Sequence, residues 1–426
     1  MGEAGAAPGV GPRTLDEEVT LYLSGRPEVL DDPYPLYRRL REGAPVYAHG
    51  AYTIVSRFAD VRALYRDSVH FKKSYFEYGT FAREVESRVP VELRPIYDEV
   101  SAFEGLFISR VDDDVHARLR RIAERAFTPR MIARMERFVR AQTGRLLDDV
   151  SGQDSFDLID RVAYRLPLLA IAEMLGVPAA DADLIHGWSM VMGAFEGRTN
   201  MDALAPWHDA LGEFRAYVGE LVRAFAQAPP DTNLVTALID AHQGERLGAE
   251  ELLAMFVVLL FAGHETTSNL IGNGTLALLR QREQWELLCQ RPGLAPLAVE
   301  ELLRYDAPVQ HTPRVPVTDV QLGAVTIPAG QTTLLLIASA NRDETAFSRP
   351  DTLDITRDPN RHLSFAIGPR FCLGAALARL EGRIVFDAMA RRFPRLELAG
   401  SEPQWGPTPM LRGLRALTLA PGVSRG

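Results

Sequence analysis

Cys372 stands in FAIGPRFCLG (365–374), two residues before Gly374, and Cys289 is the chain's only other cysteine. A nucleophilic cysteine needs a base beside it, and a zinc site needs further Cys or His ligands at metal spacing. The surrounding sequence offers neither. One thiolate can still be the sole protein ligand of a metal whose other ligands come with it in a macrocycle. Gly368 and Gly374 let the backbone turn and approach a flat group closely, and N–H groups of such a loop can tune the sulfur. Alone, a cysteine in a glycine-containing loop reads first as an inert buried thiol.

Three further groups must be weighed with it. AGHETT (262–267) follows the apolar run LLAMFVVLLFAG (252–263) within a helical pattern over 249–280, roughly 48 Å long at the usual rise. An acid and two hydroxyls in a core helix are destabilising unless they serve a purpose. Gly263 is expected to thin the helix so that something planar can lie against it. The Thr266 hydroxyl is expected to compete for the Ala262 carbonyl one turn back, leaving a polar notch for water or a diatomic ligand. In EELLR (300–304) either Glu300 or Glu301 can pair with Arg304; alone, that is a surface ion pair of little worth. In HARLRR (116–121), His116 and Arg120 share a helical face suited to gripping a carboxylate, and Arg118, Arg121 and Arg125 extend the basic surface.

The elements that must hold these groups are mainly helical. Residues 1–14 are rich in Gly, Ala and Pro and are expected to be disordered. DPYPLYRRLRE from Asp32 opens a helix, and PVYAHGAYTIVS from Pro45 alternates like a hairpin. From Val61 to about Arg395 the pattern is mostly helical, with two less regular aromatic stretches at 71–110 and 185–231. The clearest β region is 317–341, with Pro328 and Gly330 marking a turn. With no repeat and no low-complexity linker after residue 14, residues 15–426 read as one mainly α domain with a minor β-sheet.

Composition excludes several function classes. The chain has 426 residues, a hydrophobic fraction of 46% and a net charge of −9, which can fill a large core and argues against nucleic-acid binding. Two distant cysteines make no disulfide framework, and no targeting segment precedes the first helix, so a cytoplasmic protein is expected. The longest apolar run is too short to cross a bilayer, so no membrane partner is expected. Lys72 and Lys73 are the only lysines, a bias read as one of coding and not of function.

In this order, the segments resemble the cytochrome P-450 family of haem-thiolate monooxygenases, from about Asp32 to Leu417. The family's cysteine loop, Phe-Gly-x-Gly-x-His/Arg-x-Cys-x-Gly, is matched by Phe365, Gly368, Arg370, Cys372 and Gly374, and Ala366 departs from it. Its Ala/Gly-Gly-x-Asp/Glu-Thr helix is matched by Ala262, Gly263, Glu265 and Thr266. Its Glu-x-x-Arg pair is Glu301 with Arg304, and the third partner would be Arg357.

The resemblance implies that haem b lies between the central helix and the Cys loop, with the Cys372 thiolate as axial ligand. It implies that His116, Arg120, Arg314, His362 and Arg370 hold the propionates, and that Glu265 and Thr266 guide protons to bound dioxygen. It implies a soluble monomer of the bacterial branch. Its electrons would come from NAD(P)H through a ferredoxin and ferredoxin reductase, docking at Arg118, Arg121 and Arg125. Hydroxylation or epoxidation of a bulky, largely apolar specialised metabolite is the expected reaction. Oxidative ring coupling or another non-hydroxylating oxidation, or a non-catalytic haem-binding or docking role, are the alternatives. A left-handed Ala366 would cost roughly 1–2 kcal/mol.

Overall fold

A computed structural model describes residues 13–124, 127–193, 200–225, 234–243 and 247–422. The N-terminal stretch expected to be disordered lies, up to residue 12, outside the described residues. Thr14 caps the first helix, Leu15–Leu23, by a reciprocal pair of bonds with Glu17, which satisfies two otherwise orphaned N–H groups.

A five-stranded sheet gathers distant segments, in the order Val46–His49, Tyr52–Val55, Thr332–Leu336, His311–Pro316, Phe71–Lys72. The first two strands form the predicted hairpin. Tyr52–Val55 runs parallel to Thr332–Leu336, and the remaining pairs are antiparallel. Lys72 is registered opposite Val315, so the chain leaves this edge beside Arg314. Within 317–341 the structure holds strands Val320–Leu322, Val325–Ile327 and Thr332–Leu336, but Ile337–Ala340 is a helical turn.

The two aromatic stretches are more regular than expected. Residues 71–110 include helices Thr80–Ser87 and Arg94–Glu104, and 185–231 includes the end of Ala182–Gly193 and all of Leu204–Phe225. Their aromatics are the reason: Trp207 packs on Phe103, and Trp188 packs on Phe214 and Tyr217. Rings placed at helical spacing serve as core.

The central helix, Ala249–Arg280, runs for 32 residues. It is long and apolar enough to cross a membrane, but 67% of its apolar window is buried inside the protein, so here it is the core helix. Helices Arg165–Leu175, Ala295–Tyr305 and Ala375–Arg392 pack against it. At Gly274 a Cβ would lie 2.8 Å from Phe386 and 2.9 Å from Leu302, so a glycine there lets two of these helices converge. Gly263 plays the same part toward Arg165–Leu175. A Cβ on it would meet Ile171 at 2.9 Å. The bare side of Gly263 thus faces another helix.

Candidate active site

The Cys loop begins as a tight hairpin. Phe365 accepts a bond from the Cys372 N–H (2.8 Å), and Leu363 accepts one from the Ala366 N–H (2.9 Å). Ala366 is left-handed, φ 56°, so the conformation that glycine would adopt freely is imposed here on an alanine. Gly368 is also left-handed, and a Cβ at Gly374 would meet nothing within 4 Å. Phe365 is buried and covered by the Arg379 guanidinium, 4.4 Å from the ring centroid.

Cys372 is accessible although protein surrounds it. Burial holds its thiol above the ordinary value, and the backbone N–H groups of Gly374 and Ala375 and the charges of Arg120 and Arg379 act the other way. Those N–H groups open helix Ala375–Arg392, so partial positive charge is aimed at Sγ. Among the described residues no cluster of three or more His, Cys, Asp or Glu could hold a metal ion. A metal here would have to bring its other ligands.

Basic side chains approach the loop from two directions. Arg120, on helix Asp113–Glu124, donates to the Phe371 carbonyl (2.5 Å) and to Glu124 (2.7 Å). His116, one turn earlier on the same helix, is buried; desolvation and then the charges of Arg370 and Arg120 bring its imidazole down to about 4. It is therefore neutral and can still donate one N–H. Arg370 donates to the Val111 carbonyl and to Asp112, each at 2.6 Å. Arg314 comes from the sheet, is 4% exposed, and has its guanidinium 5.3 Å from the Tyr65 ring centroid.

His362 is not with them. It takes one bond from the Ser364 N–H at Nδ1 and pairs through Nε2 with Glu300 (3.2 Å). Both ring nitrogens are engaged by the protein itself. Glu300, passed over in the sequence in favour of Glu301, also binds Arg379 bidentately at 2.7 and 2.8 Å. Burial alone would raise its carboxyl, and the bonds from His362 and Arg379 instead bring it down to about 2.

Glu301 and Arg304 are completely buried. Arg304 binds Glu301 through two bonds of 2.8 Å; Arg357 and Asn360 each add one of 3.0 Å, and the Asp354 N–H adds one of 2.9 Å. Arg304 also donates to the carbonyls of Asn341, Pro350 and Thr352. This is not a surface ion pair. It ties helix Ala295–Tyr305 to the segment that leads into the Cys loop.

On the central helix, Thr266 donates to the Ala262 carbonyl at 3.0 Å, and Ala262 is exposed although it lies mid-helix. Glu265 is half-buried, and desolvation alone lifts its carboxyl to about 7. His264 is buried and turned back on the Leu260 carbonyl at 2.7 Å. Beside it, and foreseen by no sequence signal, lies Tyr164. Its ring centroid is 5.7 Å from that of His264 and 4.1 Å from that of His186. Burial, and then the negative charges of Asp183 and Glu265, hold the Tyr164 phenol above its ordinary value.

These residues fit a haem. They offer one accessible thiol with donors behind it, open space at Gly374, an accessible helix surface at Ala262, and buried cationic donors for carboxylates. The three arginines of the basic face expected to receive a redox partner differ in setting. Arg118 is tied to Glu251 at the start of the central helix (3.1 Å for one of two bonds), Arg121 is exposed, and Arg125 lies outside the described residues.

Comparison with known proteins agrees with this chemistry. Residues 207–411 match the family described as Cytochrome P450. The chain is 36% identical to the vitamin D(3) 25-hydroxylase of Pseudonocardia autotrophica, covering 92% of this chain and 94% of that one. It is 33% identical to the polyketide biosynthesis cytochrome P450 PksS of Bacillus subtilis, over 95% and 99%. The crystal structure of P450BioI in complex with a hexadec-9Z-enoic acid-ligated acyl carrier protein superimposes with a TM-score of 0.83 at 32% identity, over 92% and 99% of the two chains. The chain belongs to the cytochrome P450 family: it is a monooxygenase whose haem takes a cysteine thiolate ligand and which uses dioxygen and electrons passed from NAD(P)H through redox partners.

Proposed function

We propose that residues 15–426 form a single cytoplasmic, monomeric catalytic domain. In this reading Cys372 is the haem ligand, and the domain hydroxylates or epoxidises a bulky, largely apolar specialised metabolite. The observation that carries the assignment of Cys372 is its setting: an accessible sulfur, backed by two N–H groups, in a loop braced by Arg120. When bound, the haem supplies the chemistry that splits dioxygen and delivers one oxygen atom to the substrate.

The chain's own residues do the rest. The N–H groups of Gly374 and Ala375 stabilise the thiolate, while His116, Arg120, Arg314 and Arg370 supply N–H donors for the propionates. Thr266 holds the central-helix notch open by binding Ala262. Glu265, with its carboxyl near 7, can both hold and release a proton at its carboxylate oxygen around neutral pH. The names of two relatives, a vitamin D(3) hydroxylase and a polyketide biosynthesis enzyme, support a large apolar substrate. A ferredoxin with its reductase is the proposed electron source, docking on the face that carries Arg121.

The reduced, carbon-monoxide-bound difference spectrum tests the core of this reading. The wild type is expected to show the long-wavelength Soret band of a thiolate-ligated haem, and Cys372→His a shorter-wavelength band. A wild type with only the shorter-wavelength band, or an unchanged long-wavelength band in the variant, overturns the assignment.

A further inference from the structure

Lys73 is one of only two lysines in the chain, and nothing in the site described above uses it. Its ammonium donates to the Thr312 hydroxyl at 2.7 Å, and Arg314 Nη1 donates to the same hydroxyl at 3.3 Å. Two like charges thus converge on one neutral oxygen. In a low-dielectric setting that arrangement is repulsive unless an anion joins it.

The nearby charges do not cancel. Lys73, Arg110, Arg314 and Arg370 face one another electrostatically, and among the described residues their carboxylate partners are Asp112 and Glu104, the latter bound to Arg110. Lys72, the neighbouring lysine, is separately matched by Asp113. Among the described residues, four cations thus share two carboxylates, an arrangement that an added carboxylate would complement. Burial, and then those three arginines, hold the Lys73 ammonium well below the ordinary lysine value, and the charge of Asp112 offsets them only in part.

Backbone geometry fixes the lysine there. The Asp112 carboxylate accepts from the N–H groups of Lys73 (3.0 and 2.8 Å) and Ser74 (2.7 Å), and it also pairs with Arg370. One carboxylate therefore joins the strand edge that carries Lys73 to the Cys loop.

We propose that Lys73 is a carboxylate-binding residue that, together with Arg314 across Thr312, holds a haem propionate. The proposal rests on haem binding and not on which residue ligates the iron, so it can fail while the Cys372 assignment stands.

The test is the rate at which the holoenzyme loses haem to excess apomyoglobin, measured with iron protoporphyrin IX and with its dimethyl ester. Lys73→Met should release native haem about ten-fold faster, the size expected for one charge-assisted bond, and the dimethyl ester at the wild-type rate. Lys73→Arg should stay within about two-fold of wild type for native haem, and so should the control Lys72→Met. Equal release by Lys73→Met and wild type overturns the proposal. If that variant then also binds a fatty acid such as palmitate more weakly in a spin-state titration, the carboxylate belongs to a substrate instead.

A second measurement does not require the methionine variant to fold. In otherwise wild-type enzyme with labelled lysine, assigned through Lys72→Arg, the Lys73 ammonium of the diamagnetic ferrous carbonyl form should titrate at lower pH with the ester haem. An identical midpoint with both haems also overturns the proposal.

Discussion

Two carboxylates in one fold have opposite fates. Glu301 receives five hydrogen bonds, from Arg304, Arg357, Asn360 and the Asp354 N–H, and has no exposed surface. Glu265 is half-buried, and its carboxyl is displaced by desolvation with no compensating cation. The first group is closed, and its partners leave it nothing further to bind, so its work is to join elements. The second is open and sits on the helix where the Thr266 hydroxyl binds the Ala262 carbonyl. Both are acids drawn from helical segments; what separates structural from chemical use is whether the surroundings complete the hydrogen bonding.

The comparison breaks hardest at the closed site. Glu301→Ala leaves Arg304 charged and buried without its partner, and should cost about 3–5 kcal/mol. The expected result is a lower urea midpoint and poor recovery of haem-loaded protein. A variant with wild-type stability and haem content would show that the knot is dispensable.

At the open site, Glu265→Gln should leave the fold intact but lower product formation about 100-fold. Its stability should also respond to pH in a distinctive way. Because the native carboxyl lies near 7 and its ordinary value is 4.5, the native state keeps a proton that the unfolded chain has released between those values. Glu265 therefore costs nothing below pH 4.5 and erodes stability as pH rises toward 7. After a discount for its partial exposure, unfolding of Glu265→Gln relative to wild type should gain roughly 2–3 kcal/mol between pH 4.5 and pH 8. A flat difference across that range would mean that the acid is solvated.

Thr266→Ala should fold and bind haem normally but yield several-fold less product per electron consumed, since it loses the hydroxyl without disturbing the helix. Unchanged coupling would remove Thr266 from proton handling. The smallest effect is expected at the surface. Arg121→Glu should slow reduction by a ferredoxin about two- to five-fold at low salt and hardly at all at high salt; insensitivity at both would relocate the docking face.

Much of the site was legible because its chemistry depends on local spacing. Ala262, Glu265 and Thr266 share one helical turn, and His116 with Arg120 share another. The loop from Phe365 to Gly374 closes on itself, so these residues meet whatever the rest of the chain does. The resemblance names Glu301, Arg304 and Arg357 together, but the complete burial of Glu301 and Arg304 cannot be read from EELLR, where an exposed ion pair is the ordinary outcome. A glycine's bare face can admit a cofactor or a helix, and that Gly263 turns it toward Ile171 is visible only in the fold. That Glu300 and the Ser364 N–H engage both nitrogens of His362 is likewise visible only in the fold.

The sequence by itself determined the mainly helical class and the residues that share a helical turn or a loop, since periodicity and local spacing act within a few residues; the haem-thiolate chemistry entered through the resemblance of those segments to the family. Only the tertiary structure decided which charges are answered. Lys73 meets Thr312 across 239 residues of chain, and Asp112 reaches Arg370 across 258. Whether a cation finds its anion at such separations is set by strand register and helix packing, and no local pattern records it.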